Sequence, residues 1–325
     1  MESTLQKVQN TPTFTFLRRI DWGELGVPIA VILLCIIFSF ISPNFLTFDN
    51  LANVGRQSAA LALVAWGMTL IIISAGIDLS AGSVVAFVSV VTATVIKSNG
   101  AAAGILAGLV IGTLFGLLNG VLIAKVKLPP FVVTLGTMSI ARGAALTYTG
   151  GVPVFGLNSK FFAWLGSGNL IGIPVIILIA FLGLVVTYVI LRYTKFGVYT
   201  YAIGGNETAA YWAGIPVDKY KVLIYTYGGF LTGLGGVLLA ARVNSGQPLL
   251  GTGLELQAIA AVCIGGTSLF GGQGSIIGTL FGVILIGVLN NALNLLGISS
   301  FVQQIIIGIT IIIAVLVSIL RSRQY

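Results

Sequence analysis

The sequence predicts an all-α polytopic membrane protein. It has about ten transmembrane helices, some of them broken, and one short helix outside the bilayer. Three observations predict this class. The 325 residues are 57% hydrophobic and only 7% charged, whereas a soluble domain carries about 25% charged residues. Apolar runs near the roughly 20 residues needed to cross hydrocarbon recur along the chain. The 43 glycines suit a bundle whose helix backbones approach closely, because lipid gives no hydrophobic drive for association and small residues permit close packing.

The elements follow in order. Residues 1–24 are polar and basic, with Arg18 and Arg19 just before the first apolar run. That run is too long for a signal-peptide core and lacks a small-residue cleavage site, so it reads as a retained first span. Expected spans cover 25–42, 57–75, 81–97, 101–124, 130–148, 172–192, 219–241, 254–268, 275–296 and 301–320. Together they make a transmembrane domain over 25–320, followed by a tail at 321–325. Pro129 and Pro130 break any helix continuing into the fifth span. Two joints are Gly-rich and poor in charge: "SAGIDLSAGS" (Ser74 to Ser83) and "GGTSLFGGQGS" (Gly265 to Ser275). They read either as partly buried broken backbone lining a cavity or as tight surface turns. "GTLFG" occurs at Gly112 to Gly116 and again at Gly278 to Gly282, a hint of an internal repeat that other paired segments do not keep in register.

Charge sets the orientation. With a cytoplasmic N-terminus and alternating spans, eleven of the sixteen cations fall inside, among them Lys125, Lys127, Arg192, Lys195, Lys219, Lys221, Arg321 and Arg323. The reverse topology places those cations outside, against the positive-inside bias. Both termini are therefore expected in the cytoplasm. The +8 net charge is explained by this flanking pattern, which argues against a nucleic-acid partner.

Several chemistries are excluded. No Lys follows a Gly, so there is no Walker A phosphate loop, and this chain is expected not to hydrolyse ATP itself. There is no His, which removes the commonest proton shuttle and metal ligand. Cys35 and Cys263 lie in separate apolar runs and read as packing residues. No metal site, catalytic residue or bound cofactor is expected. Asp78 in "GIDLS" is the serious intramembrane acid, read either as a helix cap or as a pathway residue. Asn119, Asn290 and Asn291, with Gln303 and Gln304, sit in apolar spans. They can line a path for a hydroxyl-rich solute or hold helices together. Phe301 can stack on a solute or simply pack.

"NETAAYWAGIP" (Asn206 to Pro216) reads as a complete miniature helix. Asn206 is a good N-cap, and Glu207 sits in the first turn where the helix dipole favours a carboxylate. Gly214 suits a left-handed stop, and Pro216 forbids continuation. So short a helix is marginal alone, so the bundle or a partner must hold it. Ala209, Ala210, Trp212 and Ala213 form an apolar set, suited either to a lipid surface or to a partner's cleft.

This stretch resembles the EAA-type loop of bacterial ABC-importer permeases. Glu207 matches its acid, Ala209 and Ala210 its small pair, and Gly214 its glycine, with Thr208 an insertion. "SPNFLTFDNLANV" (Ser42 to Val54), "GMTLIIISAGIDLSAGS" (Gly67 to Ser83), "LELQAIAAVCIGGTSLFGGQGS" (Leu254 to Ser275) and "LNNALNLLGISSF" (Leu289 to Phe301) extend the likeness over nearly the whole chain. They are similar to permeases of monosaccharide importers of the ribose, xylose and galactose group, ribose-type above all. The resemblance implies a homodimer in the bacterial inner membrane, a periplasmic sugar-binding protein, and a cytoplasmic ATPase subunit that binds ATP and Mg. It implies that residues 206–214 form the helix docking on that ATPase. Two other classes stand beside this reading: a stand-alone ion-coupled or facilitative sugar transporter, and a lipid-active membrane enzyme, for which the sequence offers no intramembrane acid–base pair.

Overall fold

A computed structural model describes residues 22–322. The expected N-terminal segment, up to residue 21, and the last three residues of the tail lie outside the described residues. Among the described residues thirteen helices run in order: α1 (Trp22–Ile41), α2 (Phe48–Ile73), α3 (Ala81–Asn99), α4 (Ala101–Ala124), α5 (Pro130–Thr149), α6 (Lys160–Ser167), α7 (Val175–Tyr193), α8 (Lys195–Gly205), α9 (Glu207–Trp212), α10 (Val217–Val243), α11 (Leu254–Ile264), α12 (Ile276–Leu295) and α13 (Ser300–Ser322). A two-stranded antiparallel hairpin, β1 (Asn169–Leu170) and β2 (Ile173–Pro174), precedes α7. Six of the helices, α2, α3, α4, α7, α10 and α12, have the length and apolarity to cross a membrane.

α4 shows why lipid is the solvent. Its buried side is Gly104, Gly108, Gly112, Gly116, Asn119 and Gly120, whereas Leu106 is 63% exposed and Leu114 54%. A soluble helix turns its leucines inward; here glycines face the protein and leucines face out, as hydrocarbon permits. The glycine row meets α10. A Cβ on Gly116 would lie 2.8 Å from the Cα of Gly229, and one on Gly120 would lie 2.9 Å from the Cα of Val222. The two backbones touch along this seam, and any side chain there would part them.

α2 is the central element. Every residue from Ala59 to Ile73 is buried, which fits a helix surrounded by others rather than amphipathic. The Trp66 indole donates to the carbonyl of Ala180 on α7 at 3.1 Å, and Thr69 and Thr279 share a hydroxyl hydrogen bond of 2.9 Å between α2 and α12. The loops before α6 and after α10 hold each other through paired backbone bonds between Val154 and Gly246, at 2.7 and 2.9 Å.

Three expected boundaries move. The second span starts at Phe48 rather than 57, because Thr47 caps the helix by accepting from the Asn50 amide. The sixth begins at Val175 rather than 172, because residues 169–174 close a hairpin whose turn uses Ile171 and Gly172 at positive φ. The eighth stops at Ile264 rather than 268. There Gly266 turns left-handed at φ 86°, and the amides of Gly266 and Thr267 close on the carbonyls of Cys263 and Val262. At 11 residues, or about 16 Å, α11 is too short to cross a bilayer by itself. The hairpin also qualifies the all-α class, although helices dominate.

Candidate functional site

α9 is built as its sequence dictates. The Asn206 side chain accepts from the Ala209 amide at 2.9 Å. The chain leaves the helix through Gly214 at φ 82°, with the Gly214 amide on the Tyr211 carbonyl at 3.0 Å and the Ile215 amide on that of Ala210 at 3.1 Å. Glu207 pairs with Lys221 of α10 at 2.5 Å. Ala210 alone of the apolar set turns inward, into a cluster with Ile203 and Val217. Ala209 and Ala213 are exposed, and Trp212 is 80% exposed. The expected face therefore divides: one alanine anchors the helix to the bundle, and the remainder is presented outward. Beside it lies a groove of about 520 Å³, lined by Lys125, Tyr211, Ile215, Pro216, Lys219 and Leu223 among others.

α9 is tied to both Gly-rich joints. α8 runs directly into its cap. The Gly272 amide of the second joint donates to the carbonyl of Ile73, the last residue of α2, at 2.8 Å. The Tyr201 hydroxyl of α8 donates to the Gly274 carbonyl at 2.8 Å. A Cβ on Gly204 would overlap the Ile73 carbonyl, and one on Gly271 would come within 2.7 Å of both the Ala75 methyl and the Gly204 carbonyl. The first joint is buried at Ser74, Asp78 and Ser80, which bears out partly buried backbone there. The second mixes buried Thr267 with exposed Gly266, Phe270 and Gln273.

The polar candidates fall into two groups. Asp78 and Asn119 meet through Ser80. One Asp78 carboxylate oxygen accepts from the Ser80 amide at 2.8 Å and from its hydroxyl at 2.5 Å. Asn119 donates to the same hydroxyl oxygen at 3.0 Å. Asp78 thus shapes the turn that opens α3, and the Oδ1 of Asn119 is left buried without a hydrogen-bond partner. Nearby, a Cβ on Gly82 would overlap the Glu255 carboxylate, whose Oε2 is also buried without a partner. The second group joins α2 to α12: the amides of Asn50 and Asn291 exchange two hydrogen bonds of 2.9 Å. This is the helix-holding geometry. The Oδ1 of adjacent Asn290 is buried without a partner. Phe301 stands apart, 81% exposed on α13. Among the described residues no cluster of acids and cysteines is arranged to hold a metal.

Comparison with known proteins identifies the family. Residues 50–315 match the family model described as the permease component of a branched-chain amino acid transport system. The chain belongs to this permease family. Among its relatives, the ribose import permease protein RbsC of Bacillus subtilis (strain 168) is 48% identical, over 92% of this chain and 94% of the relative. RbsC of Escherichia coli (strain K12) is 43% identical over 89% and 91%. The L-arabinose transport system permease protein AraH of Escherichia coli (strain K12) is 39% identical over 91% and 90%. No solved structure matches the chain.

The permease also holds residues that the sequence reading passed over. Ser80 bridges Asp78 to Asn119, Asn50 completes the amide pair, and Tyr201 and Tyr225 reach the joints. Only Ser80 carried a local signal, as a hydroxyl directly before a helical run. The other three act on backbone or amides far away in the chain, which no local pattern reveals.

Proposed function

We propose that this chain is the membrane permease subunit of an ATP-driven ABC importer for ribose or a related pentose. Its 48% identity to a ribose import permease over 92% of the chain carries the reading. The short helix supports it: α9 is rigidly capped, anchored by Ala210, and presents Tyr211 and Trp212 outward, 64% and 80% exposed. In this proposal residues 206–214 dock on a cytoplasmic ATPase subunit that binds ATP and Mg, while a periplasmic binding protein delivers the sugar. Two copies of the permease enclose the passage in the bacterial inner membrane. Ten membrane-embedded segments run from a cytoplasmic N-terminus to a cytoplasmic C-terminus, with α11 crossing only in company with the second joint. Asp78, Asn119, Asn290 and Phe301 are proposed on the translocation side, where the neutral amides suit a hydroxylated ring, whereas Asn291 is engaged by Asn50 in holding α2 to α12.

The mechanism needs two packings of one bundle. A partner that binds one packing more tightly when it holds ATP shifts the population toward it. A ratio of 1:99 becomes 99:1 for about 5.5 kcal/mol of differential affinity, which is within reach of a nucleotide-driven partner. The test is co-purification from native membranes followed by ribose uptake in proteoliposomes. ATP-dependent uptake by the complex is expected. Uptake by the permease alone on an ion gradient, with no ATPase bound, would support the stand-alone carrier instead.

A further inference from the structure

α9 is flanked by two helices, and each reaches one end of the first joint. On one side, α8 leads into Asn206. Its Tyr201 hydroxyl holds the Gly274 carbonyl of the second joint at 2.8 Å, and Gly272 of that joint holds the Ile73 carbonyl at 2.8 Å. That bond fills an acceptor that the end of α2 would otherwise leave open. On the other side, α10 starts at Val217, and its Tyr225 hydroxyl donates to the Ile77 carbonyl at 3.2 Å. Tyr225 occupies the space that a Cβ on Gly76 would need. The two arms therefore grip Ile73 and Ile77, either side of a turn in which Ala75 sits at φ 59°. That is a left-handed conformation which a non-glycine residue holds only when its surroundings fix it. One residue past Ile77 is Asp78, bound through Ser80 to Asn119 of α4.

We propose that Tyr201 and Tyr225 are positioning residues that transmit displacement of α9 through the first joint to the buried Asp78–Ser80–Asn119 cluster. Neither needs to touch the solute. Each hydroxyl ties a helix beside α9 to backbone of a joint, so a push on α9 moves both ends of the Ser74–Ser80 turn together. The close passage of Gly204, Gly271 and Gly272 removes the slack that side chains would introduce. This inference rests on the reading that an ATPase moves α9.

The test uses the reconstituted permease with its ATPase and binding protein, and reads ribose taken up per ATP hydrolysed. Tyr201→Phe and Tyr225→Phe remove one hydroxyl each and almost no volume. Each is expected to lower that ratio about fivefold, the worth of one hydrogen bond of about 1 kcal/mol, with ATPase association and ATP hydrolysis within about twofold of wild type. The double variant is expected to fall below either single. Tyr148→Phe, which removes a half-exposed hydroxyl on α5, is expected to match wild type. Unchanged uptake per ATP in both single variants would overturn the inference and leave the importer reading intact. Loss of ATPase association in either would assign the tyrosine a merely structural role and overturn it too. A wild-type complex without ATP-dependent uptake would overturn the reading beneath it, and the inference with it.

Discussion

Replacing Asn206 by alanine removes one hydrogen bond and leaves a shape almost unchanged, so its effect can be worked from the structure. The lost bond is that between the Asn206 carboxamide and the Ala209 amide, 2.9 Å long. N-cap substitutions of this kind cost about 1 kcal/mol. In a long helix that loss is absorbed. α9 has six residues and no reserve, since even far longer helices are marginal in isolation. Gly214→Ala adds a second, independent penalty. Its Cβ would meet open space, but at φ 82° a left-handed L-residue costs about 1–2 kcal/mol. If the ATPase binds α9 only when it is folded, the single cap variant should weaken association about fivefold, and the double variant about 30-fold or more. Asn206→Ser, which keeps a capping oxygen, should stay near wild type. The assay is titration of detergent-solubilised permease variants with the purified ATPase. Wild-type affinity in the Asn206→Ala/Gly214→Ala double variant would refute the argument that the partner reads this folded helix.

Other outcomes follow from the packing. Gly116→Val inserts a branched side chain where the Cα of Gly229 lies 2.8 Å from a bare Cβ; overpacking of this kind costs about 1–3 kcal/mol, visible as a lower melting temperature in detergent. Asn50→Ala and Asn291→Ala, singly and together, should show a coupling energy of about 0.6–2 kcal/mol in a thermal-stability cycle; strict additivity would mean that the reciprocal amide pair does not hold α2 to α12. Ser80→Ala removes the hydroxyl that Asp78 and Asn119 share; the Asp78 carboxylate keeps the residue-80 backbone amide, but the Asn119 amide loses its partner, and a buried group left unsatisfied costs about 1–3 kcal/mol. That variant should therefore be less stable than Ser83→Ala and should transport less per molecule of folded protein. Equal stability and uptake in the two would remove the cluster from the account.

How much of this was legible in the sequence depends on the range of the interaction. The cap, stop and length of α9 are all local, and each was readable from Asn206, Gly214 and Pro216. The apolar runs were readable for the same reason, although the start of α2 was not, since its first turns carry Asp49, Asn50, Asn53 and Arg56 and lack the continuous apolarity that marks a span. The division of the α9 face was not readable. Ala209, Ala210, Trp212 and Ala213 are alike in hydropathy, and only the position of Ile203 and Val217 decides that Ala210 turns inward. The Gly104 to Gly120 row has a strict four-residue spacing and was visible in principle. Its partner on α10 was not, since the two helices are far apart in sequence. The same limit hid Asn50, whose amide meets Asn291 across 241 positions.

The central claim is that the permease supplies a passage and a lever while another subunit supplies the energy. Ribose accumulation in proteoliposomes, measured with the permease alone and then with ATPase, binding protein and ATP added, tests it most directly. The account predicts no accumulation by the permease alone under an imposed sodium or proton gradient, and concentrative uptake once the full set is present. Gradient-driven accumulation by the permease alone would contradict it.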